Sequence, residues 1–238
     1  MIAQFTDAHL IAAVRAAEQV APLEACGLLV VRDGQLRVWP AGNVAANPRA
    51  HFEVDPVDIA AAEAWGEVVA VWHSHPDGTP EPSLADRVMC AQSGLPWLIV
   101  TPSGRHEWLA PAAFEAPLLD RPYIWGIFDC WELARDWYRL ERGLLLARPD
   151  VGAEVFERGE SPFTTLAREY GFGFVAVDSP LEVGDLVIMQ VQADVPNHCG
   201  VIDASGLLLH HAIKRPSEAS VYGGFWRKVT THRLRYAA

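Results

Sequence analysis

The chain has few of the features that mark an exported or membrane-spanning protein. It carries only four cysteines in 238 residues, and none of them forms a Cys-x-x-Cys pair, so we expect free thiols rather than a disulfide framework. No apolar run reaches the roughly 18 residues that a bilayer span requires. The first twenty residues show an amphipathic helix pattern with charged positions. We therefore expect no membrane span and no signal peptide.

Basic side chains are also scarce. The sequence has 19 Lys and Arg residues against 30 Asp and Glu residues, which gives a formal net charge of −11. Most of this excess lies in residues 1–115, which hold 14 acidic and 6 basic residues. Nucleic acids are bound largely through Lys and Arg contacts to phosphate. The charge balance therefore argues against a nucleic-acid partner.

The hydrophobic content is high enough for more than one core. Half of the residues are hydrophobic, which suits one large core or two cores of about 115 residues each. Small residues and prolines at 110–117 interrupt the periodic pattern just after a strand-like segment. We therefore predict two domains, at residues 1–115 and 120–238.

The most informative segment of the first half reads Val-Trp-His-Ser-His-Pro, at residues 71–76. It completes an apolar, β-branched run that is typical of a buried strand. Because alternate side chains of a strand share one face, His73 and His75 are expected to point the same way. Two imidazoles on one face supply part of a catalytic zinc shell, although a His-x-His pair can also be a polar strand edge.

A carboxylate follows at a distance that can complete this set. The segment 77–82 is rich in Gly, Thr and Pro and can fold back before a helix that begins near Ser83. That return brings Asp86 towards the two histidines as a third ligand. The alternative is purely structural, because Ser83 and Asp86 also fit a Ser-x-x-acid pattern at a helix N-terminus.

The combined pattern resembles the JAMM (also MPN or Mov34) metallopeptidase family, whose motif is a distant Glu, His-x-His-Pro and Ser-x-x-Asp. Ten residues separate His75 from Asp86, as in that family. The resemblance implies Zn²⁺ bound by His73, His75 and Asp86. It also implies that Glu24 is the general acid/base and that Ser83 helps to stabilise the oxyanion. From the residues alone, Glu24 could equally be a surface acid before a strand.

A second chemical site is predicted around Cys130. Residues from Leu133 to Leu140 follow with helical spacing, which places Cys130 in the first turn of a helix with Asp129 as the expected N-cap. A helix N-terminus stabilises the thiolate, which is the nucleophilic form of cysteine. A buried packing cysteine is the ordinary alternative.

Predicted strands downstream carry the histidines that could serve this thiol. An apolar strand follows Gly184-Asp185, a second carries His198, and a third follows the Ser205-Gly206 turn and carries His210 and His211. Antiparallel strands could hold His198 as the base and a following histidine as the group that orients it. Taken singly, each histidine could be a satisfied polar residue at a strand end.

These segments resemble the NlpC-type cysteine peptidases, papain-like enzymes that cut peptide bonds in bacterial cell-wall peptides. By register His210 is the third catalytic residue, twelve positions after His198, and His211 is its rival because it directly precedes an alanine. Two positions depart from the family pattern. Trp131 replaces a small residue after the cysteine, and Cys199 follows the base histidine. These departures bear on the substrate pocket more than on the chemistry.

A JAMM-type domain ahead of an NlpC-type domain resembles the tail tip assembly protein K family of lambda-like phages and prophages. Trp125-Gly126 and the aromatic segment 221–226 extend the resemblance over nearly the whole chain. It implies an α+β fold, with an N-terminal mixed sheet flanked by helices and a C-terminal papain-like domain built on a small antiparallel sheet. The segment from Trp226 onward has the alternation of an edge strand.

The same resemblance implies a hydrolase that is made in the host cytoplasm and then joins the phage tail tip. Its expected partners are peptidoglycan stem peptides and other tail-tip proteins. One alternative is a tail assembly or scaffolding component whose sites are idle or process another tail protein, since nine tryptophans could serve an interface. Another is an isopeptidase acting on ubiquitin-like proteins, against which the NlpC-type half argues.

Overall fold

The computed structural model describes residues 4–148, 152 and 154–236. The chain divides into two compact units, Met1–Glu115 and Ala116–Ala238. Across the described residues, no helix has both the length and the apolar character needed to cross a bilayer.

The first unit is built on a mixed five-stranded sheet with the order β2-β1-β3-β4-β5. The β3–β4 pair is parallel and the other pairs are antiparallel. This mixed sheet with flanking helices confirms the predicted fold class. Its elements are α1 (Asp7–Val20), β1 (Cys26–Arg32), β2 (Gln35–Ala41), α2 (Pro56–Trp65), β3 (Glu67–Ser74), α3 (Leu84–Ser93), β4 (Trp97–Val100) and β5 (His106–Leu109).

Both faces of this sheet are covered, which explains why its inner strands are apolar runs. On one face Leu29 and Trp72 belong to a buried cluster with Ala13 and Ala17 of α1. On the other face Val30 and Val71 pack with residues of α2 and α3. The end of β3 is therefore anchored in the core, and the side chains there have little freedom to move.

The second unit contains a six-stranded sheet with the order β10-β9-β8-β7-β11-β6, in which every pairing is antiparallel. This confirms the predicted antiparallel sheet. Its elements are α4 (Cys130–Arg142), α5 (Glu154–Glu157), α6 (Phe163–Glu169), β6 (Phe172–Val175), β7 (Leu186–Met189), β8 (His198–Ile202), β9 (Leu208–His210), β10 (Glu218–Ser220), α7 (Gly224–Val229) and β11 (Thr230–Tyr236).

The expectation of an edge strand from Trp226 onward is wrong. Trp226 lies in the short helix α7, and β11 begins only at Thr230. This strand pairs with β7 on one side and with β6 on the other. Leu234 is fully buried in the core cluster, so β11 is an interior strand whose apolar positions face helix α4.

Helix α4 packs against one face of this sheet. Leu133 and Trp137 of the helix share a buried cluster with Ile188, Cys199 and Val201 of β7 and β8. The helix is strongly amphipathic and is capped at its C-terminus by Gly143, which adopts the left-handed conformation (φ 63) that favours glycine there. This packing places the N-terminus of α4 against the strand that carries His198.

Candidate active sites

Three potential metal ligands converge at the end of β3 in the first unit. The Nε2 atoms of His73 and His75 are 3.1 Å apart. Asp86 Oδ1 lies 3.3 Å from His73 Nε2, and Asp86 Oδ2 lies 3.4 Å from His75 Nε2. One ligand atom from each residue lies within 4.8 Å of the other two. The strand, the turn and helix α3 therefore bring together the three residues singled out from the sequence.

Asp86 both caps helix α3 and faces the two histidines. Ser83 Oγ accepts a hydrogen bond from the Asp86 N–H at 3.1 Å, and Asp86 Oδ2 accepts one from the Ser83 N–H at 2.7 Å. This reciprocal capping box fixes the first turn of α3. It also holds the Asp86 carboxylate towards the imidazoles. The hydrogen bonds that cap the helix therefore also orient Asp86 as a potential ligand.

The two imidazoles are held by different contacts. His75 Nδ1 lies 2.9 Å from the Thr79 carbonyl oxygen, so Nδ1–H donates and Nε2 keeps its lone pair for a cation. His73 is fully buried and stacks on Phe52, with ring centroids 4.4 Å apart. Trp97 contacts the same ring edge-on at 5.6 Å. Packing and one hydrogen bond thus set both ring orientations.

The charges of this cluster suit a divalent cation. Burial lowers the pKa of His73 and so favours its neutral form. Burial opposes ionisation of Asp86, but His73, His75 and the side chain of Ser83 hold its pKa well below the usual range. Two imidazoles and an anionic carboxylate form a donor set that zinc accepts in catalytic sites. The residues therefore fit Zn²⁺.

Glu24 is a buried acid beside this cluster. Its exposed fraction is only 8%, which excludes the alternative of a surface acid. Burial raises its pKa to about 8, an effect that His75 partly reverses and Asp86 reinforces. The backbone of Glu24 is fixed by its N–H to the Pro48 carbonyl and by Asn43 Nδ2 to its own carbonyl.

Loss of one ligand should empty the metal site. We expect the unchanged protein to retain about one zinc ion per chain after dialysis, and His73→Ala or Asp86→Asn to retain almost none. Each change removes one of only three protein donors. The measurement is metal content by inductively coupled plasma mass spectrometry. His106→Ala, at an exposed position in β5, is the matched control. Equal zinc in all four proteins would exclude this ligand set.

The second constellation begins at the N-terminus of α4 in the second unit. Asp129 is the N-cap, and its Oδ1 accepts hydrogen bonds from the backbone N–H groups of Trp131 and Glu132, both at 2.9 Å. Its Oδ2 accepts from the Gly126 N–H at 2.7 Å. Gly126 has φ 72, a conformation that favours glycine. The cap and this turn fix Cys130 at the first helical position.

Two neighbours act directly on the Cys130 thiol. Its pKa lies well below the ordinary value because the Cys199 thiol hydrogen-bonds to it, and the imidazole of His198 adds a hydrogen bond and a favourable charge interaction. These contacts outweigh burial, which favours the neutral thiol. Cys130 is thus poised to be a thiolate, the nucleophilic form.

His198 is connected in turn to His210. His198 Nε2 lies 3.2 Å from His210 Nδ1, and Gly200 is opposite His210 in the β8–β9 register. A Cβ at Gly200 would lie 2.9 Å from the His210 Cβ, so glycine permits this close approach. Burial lowers the pKa of His210 to about 3, with His198 as the next cause. A neutral His210 can accept a hydrogen bond at Nδ1 while its Nε2 lies 3.4 Å from Ser220 Oγ.

The rival histidine lies elsewhere. His211 directly follows the last residue of β9, and its ring packs edge-on against Tyr123 with centroids 5.2 Å apart. Burial lowers its pKa to about 4, and the charge of Cys130 opposes this shift. Among the described residues, His210 and not His211 contacts the imidazole of His198.

This difference predicts unequal effects of two neighbouring substitutions. We expect His210→Ala to lower the rate of Cys130 alkylation by iodoacetamide at pH 7 by at least about 10-fold, because His198 loses the group that orients its ring. His211→Ala should lower it less. The measurement is the alkylation rate of the Cys130 peptide by mass spectrometry. A larger loss in His211→Ala would reverse the assignment of the third residue.

Sequence reasoning missed two neighbours of this site. The ring of Trp226 lies 4.2 Å from that of His210 and 5.8 Å from that of His198, so it covers the histidine pair. The aromatic segment 221–226 was the available signal for it. Cys199 was noted only as a departure from a family pattern, and its contact with Cys130 depends on how α4 packs on β8.

Each half of the chain matches a known protein family. Residues 6–111 match the family of prokaryotic homologs of the JAB domain, and residues 120–235 match the NlpC/P60 family. Tail tip assembly protein K of Escherichia phage N15 is 41% identical over 216 residues, which cover 90% of this chain and 88% of that protein. Tail tip assembly protein K of Escherichia phage lambda is 32% identical over 187 residues, or 78% of this chain and 90% of that protein.

A third relative matches a smaller part of the chain. The desampylase of Haloferax volcanii is 39% identical over 99 residues, which cover 37% of this chain and 70% of that protein. The two phage proteins instead align over most of their own length and most of this chain. The chain therefore belongs to the tail tip assembly protein K family, and it combines a domain of the JAB (JAMM) metallopeptidase family with one of the NlpC/P60 cysteine peptidase family.

Proposed function

We propose that this protein is a phage or prophage tail-tip hydrolase with two peptidase sites. The thiol site would hydrolyse peptidoglycan stem peptides, and the zinc site would hydrolyse a peptide or isopeptide bond. The observation that carries the proposal is the contact of His198 Nε2 with His210 Nδ1 at 3.2 Å, beside a Cys130 thiol whose pKa the His198 imidazole lowers. A nucleophile, a base and an orienting group in contact are the parts that acyl transfer requires.

In the thiol site each residue would have a separate task. The Cys130 thiolate attacks the carbonyl carbon of the scissile amide and forms a thioester as the amine leaves. His198, which holds the proton of the thiol, gives it to the departing amine and later takes a proton from the water that hydrolyses the thioester. His210 accepts a hydrogen bond from His198 Nε2–H and so keeps that ring aligned. The N-terminus of α4 favours the negative charge that develops nearby.

In the zinc site, His73, His75 and Asp86 would hold the ion. Bound zinc polarises a substrate carbonyl and makes a water molecule acidic enough to react near neutral pH. Glu24, buried beside His75 and Asp86, would in its ionised form take a proton from a water molecule and return it to the leaving amine, and the charge of a bound cation would favour that ionised form. Ser83 Oγ accepts a hydrogen bond from the Asp86 N–H, and the Ser83 O–H would donate to the developing oxyanion.

The expected setting follows from the family. Relatives are named for tail tip assembly, so we infer that the protein is made in the host cytoplasm and joins other tail-tip proteins. A site that opens peptidoglycan stem peptides would suit a protein carried at the tail tip during genome entry. The acidic balance of the chain, −11 overall, agrees with partners other than nucleic acid.

The deciding experiment is mass spectrometry of fragments released from purified peptidoglycan. The unchanged protein is compared with Cys130→Ala, with His73→Ala and with Cys90→Ala as a control cysteine in the other unit. We expect stem-peptide fragments from every form except Cys130→Ala. Fragments from Cys130→Ala but not from His73→Ala would assign this activity to the zinc site instead.

A second function, assembly without peptidase activity, is favoured by the names of the relatives. It predicts no fragments from any form, no retained zinc, and alkylation of Cys130 at the rate of an ordinary thiol. It also predicts that Cys130→Ala and His73→Ala support tail formation as well as the unchanged protein. Electron microscopy of tails formed with each variant measures this directly.

A further inference from the structure

A second buried thiol lies beside the proposed nucleophile. Cys130 is 5% exposed and Cys199 is fully buried, and both belong to the cluster formed by α4 and the inner face of the second sheet. Each thiol shifts the pKa of the other through a direct interaction between the two side chains. Both cysteines are free in this structure. The other two, Cys26 and Cys90, belong to the first unit.

The strand geometry explains how one thiol has two polar neighbours. Alternate residues of β8 face opposite sides of the sheet. Cys199 and Val201 face helix α4 and pack in its cluster, whereas His198 lies at the first position of the strand and contacts His210 and Trp226. The N-terminus of α4 thus meets the beginning of β8, where Cys130 reaches both the imidazole and the second thiol.

We propose that Cys130 and Cys199 form a reversible disulfide that blocks the nucleophile when a hydroperoxide is present. This blocking role rests on the proposed thiol peptidase, but formation of the disulfide does not. Both thiols lie in one buried cluster, and interacting thiols can form an S–S bond of about 2 Å when the geometry of their Cβ atoms allows it.

The chemistry balances with a hydroperoxide as the two-electron oxidant. The Cys130 thiolate attacks one peroxide oxygen, the O–O bond breaks, and an alcohol or water leaves after taking a proton, which makes Cys130 a sulfenic acid. The Cys199 sulfur then attacks the Cys130 sulfur, the S–O bond breaks, and the hydroxyl leaves as water with the Cys199 proton. Two thiols and one hydroperoxide thus give one disulfide, one alcohol or water and one further water.

The environment assigns a different part to each sulfur. Burial and the neighbouring Cys130 raise the pKa of Cys199 well above its ordinary value, while Cys199 and His198 lower that of Cys130. Cys130 is therefore the thiol that meets the oxidant as a thiolate, and Cys199 is the resolving thiol. A dithiol reductant reverses the bond by thiol–disulfide exchange.

The test is peptide mapping of the intact chain after brief treatment with hydrogen peroxide, without reduction. We expect a cross-linked peptide pair that contains Cys130 and Cys199 and is two hydrogen masses lighter than the separate peptides. Dithiothreitol should restore both free thiols. Alkylation of Cys130 should fall more than about tenfold in the oxidised protein and recover on reduction. In Cys199→Ser, Cys130 should proceed to the sulfinic acid, and Cys199→Ala should behave in the same way.

Formation of Cys130 sulfinic acid in the unchanged protein, at the rate seen in Cys199→Ser and without a cross-link, would overturn the proposal. This reading needs only the unchanged protein if the variants fold poorly. The peptidoglycan assay separates the two proposals. A cross-link together with an inactive reduced protein would refute the peptidase, whereas an active reduced protein without a cross-link would refute the disulfide.

Discussion

Replacement of His198 by alanine is expected to lower thiol-dependent hydrolysis by about 10³-fold. His198 is the imidazole that acts on the Cys130 thiol and is held by His210. Its loss would remove both the proposed proton acceptor of the attack and the proposed proton donor to the leaving amine, and a positioned acid/base of this kind contributes about 10²–10⁴-fold. The measurement is the initial rate of stem-peptide release.

The pH dependence of Cys130 alkylation provides a second measurement on His198→Ala. Because Cys199 and His198 hold the pKa of Cys130 well below its ordinary value, alkylation of the unchanged protein should be near its maximum at neutral pH. In His198→Ala part of this stabilisation is absent, so the alkylation curve should shift to higher pH.

His232→Ala is the matched control, since His232 belongs to β11 of the same unit and its ring packs against Phe174. It should keep both the rate and the alkylation profile. An equal loss of hydrolysis in both histidine variants, with unchanged alkylation curves, would refute the role of His198 as the base.

The cluster of His73, His75 and Asp86 shows how far local sequence patterns reach. The alternation of β3 and the residue that follows it predicted that His73 and His75 lie together, and the cap signal at Ser83 predicted Asp86 in the first turn of α3. Each of these inferences spans only a few residues of chain. The burial of Glu24 could not be predicted in this way, because it depends on how the segment before β1 packs against distant parts of the unit.

The choice between His210 and His211 shows where such patterns stop. Neighbouring residues at the end of a strand point to opposite sides, so a slip of one residue in register exchanges their environments. The register of β8 with β9 pairs Gly200 with His210, and the Ser205-Gly206 turn between these strands helps to set it. The sequence indicates the position of the turn but not which residues of the two strands pair across it. The sequence alone therefore cannot distinguish His210 from His211.

The position of β11 in the sheet is a second feature that the sequence alone does not predict. Its alternation correctly indicated a strand, but its partners, β6 and β7, lie far away in the sequence. Two arginines of β11, Arg233 and Arg235, pair with Asp185 just before β7. Arginine is usually exposed, and its burial here depends on pairing with an acid that is distant in sequence. The sequence alone therefore did not show that this strand is interior.

This buried ion pair predicts the largest change in stability. Asp185 is fully buried, and Arg233, 1% exposed, donates to its Oδ2 at 2.5 Å. Arg235 donates to Oδ1 at 2.7 Å. We expect Asp185→Asn to lower the free energy of unfolding by about 3 kcal/mol, because the change leaves the Arg233 charge buried without its counter-charge. The measurement is urea unfolding followed by hydrogen-exchange mass spectrometry of peptides from β7 and β11.

The pH dependence of the unfolding free energy tests the contact of Asp185 with the two arginines. Burial opposes ionisation of Asp185, but Arg235 and Arg233 lower its pKa below the ordinary value of 3.8. A carboxylate whose pKa is lower in the folded state adds stability above the unfolded value and loses it as the pH falls through the folded value. The difference between the unchanged protein and Asp185→Asn should therefore be complete near pH 7 and shrink as the pH falls below about 4.

Glu182→Gln is the matched control for this acid. Glu182 also pairs with Arg235, but its side chain is 61% exposed, and an exposed pair contributes no more than about 1 kcal/mol. If Glu182→Gln lowered stability as much as Asp185→Asn, the buried contact with Arg233 would not be what holds β11 in the sheet. Unequal losses would place that stability in the Asp185–Arg233 pair, which fixes β11 against β7, the strand that in turn pairs with β8 and its His198.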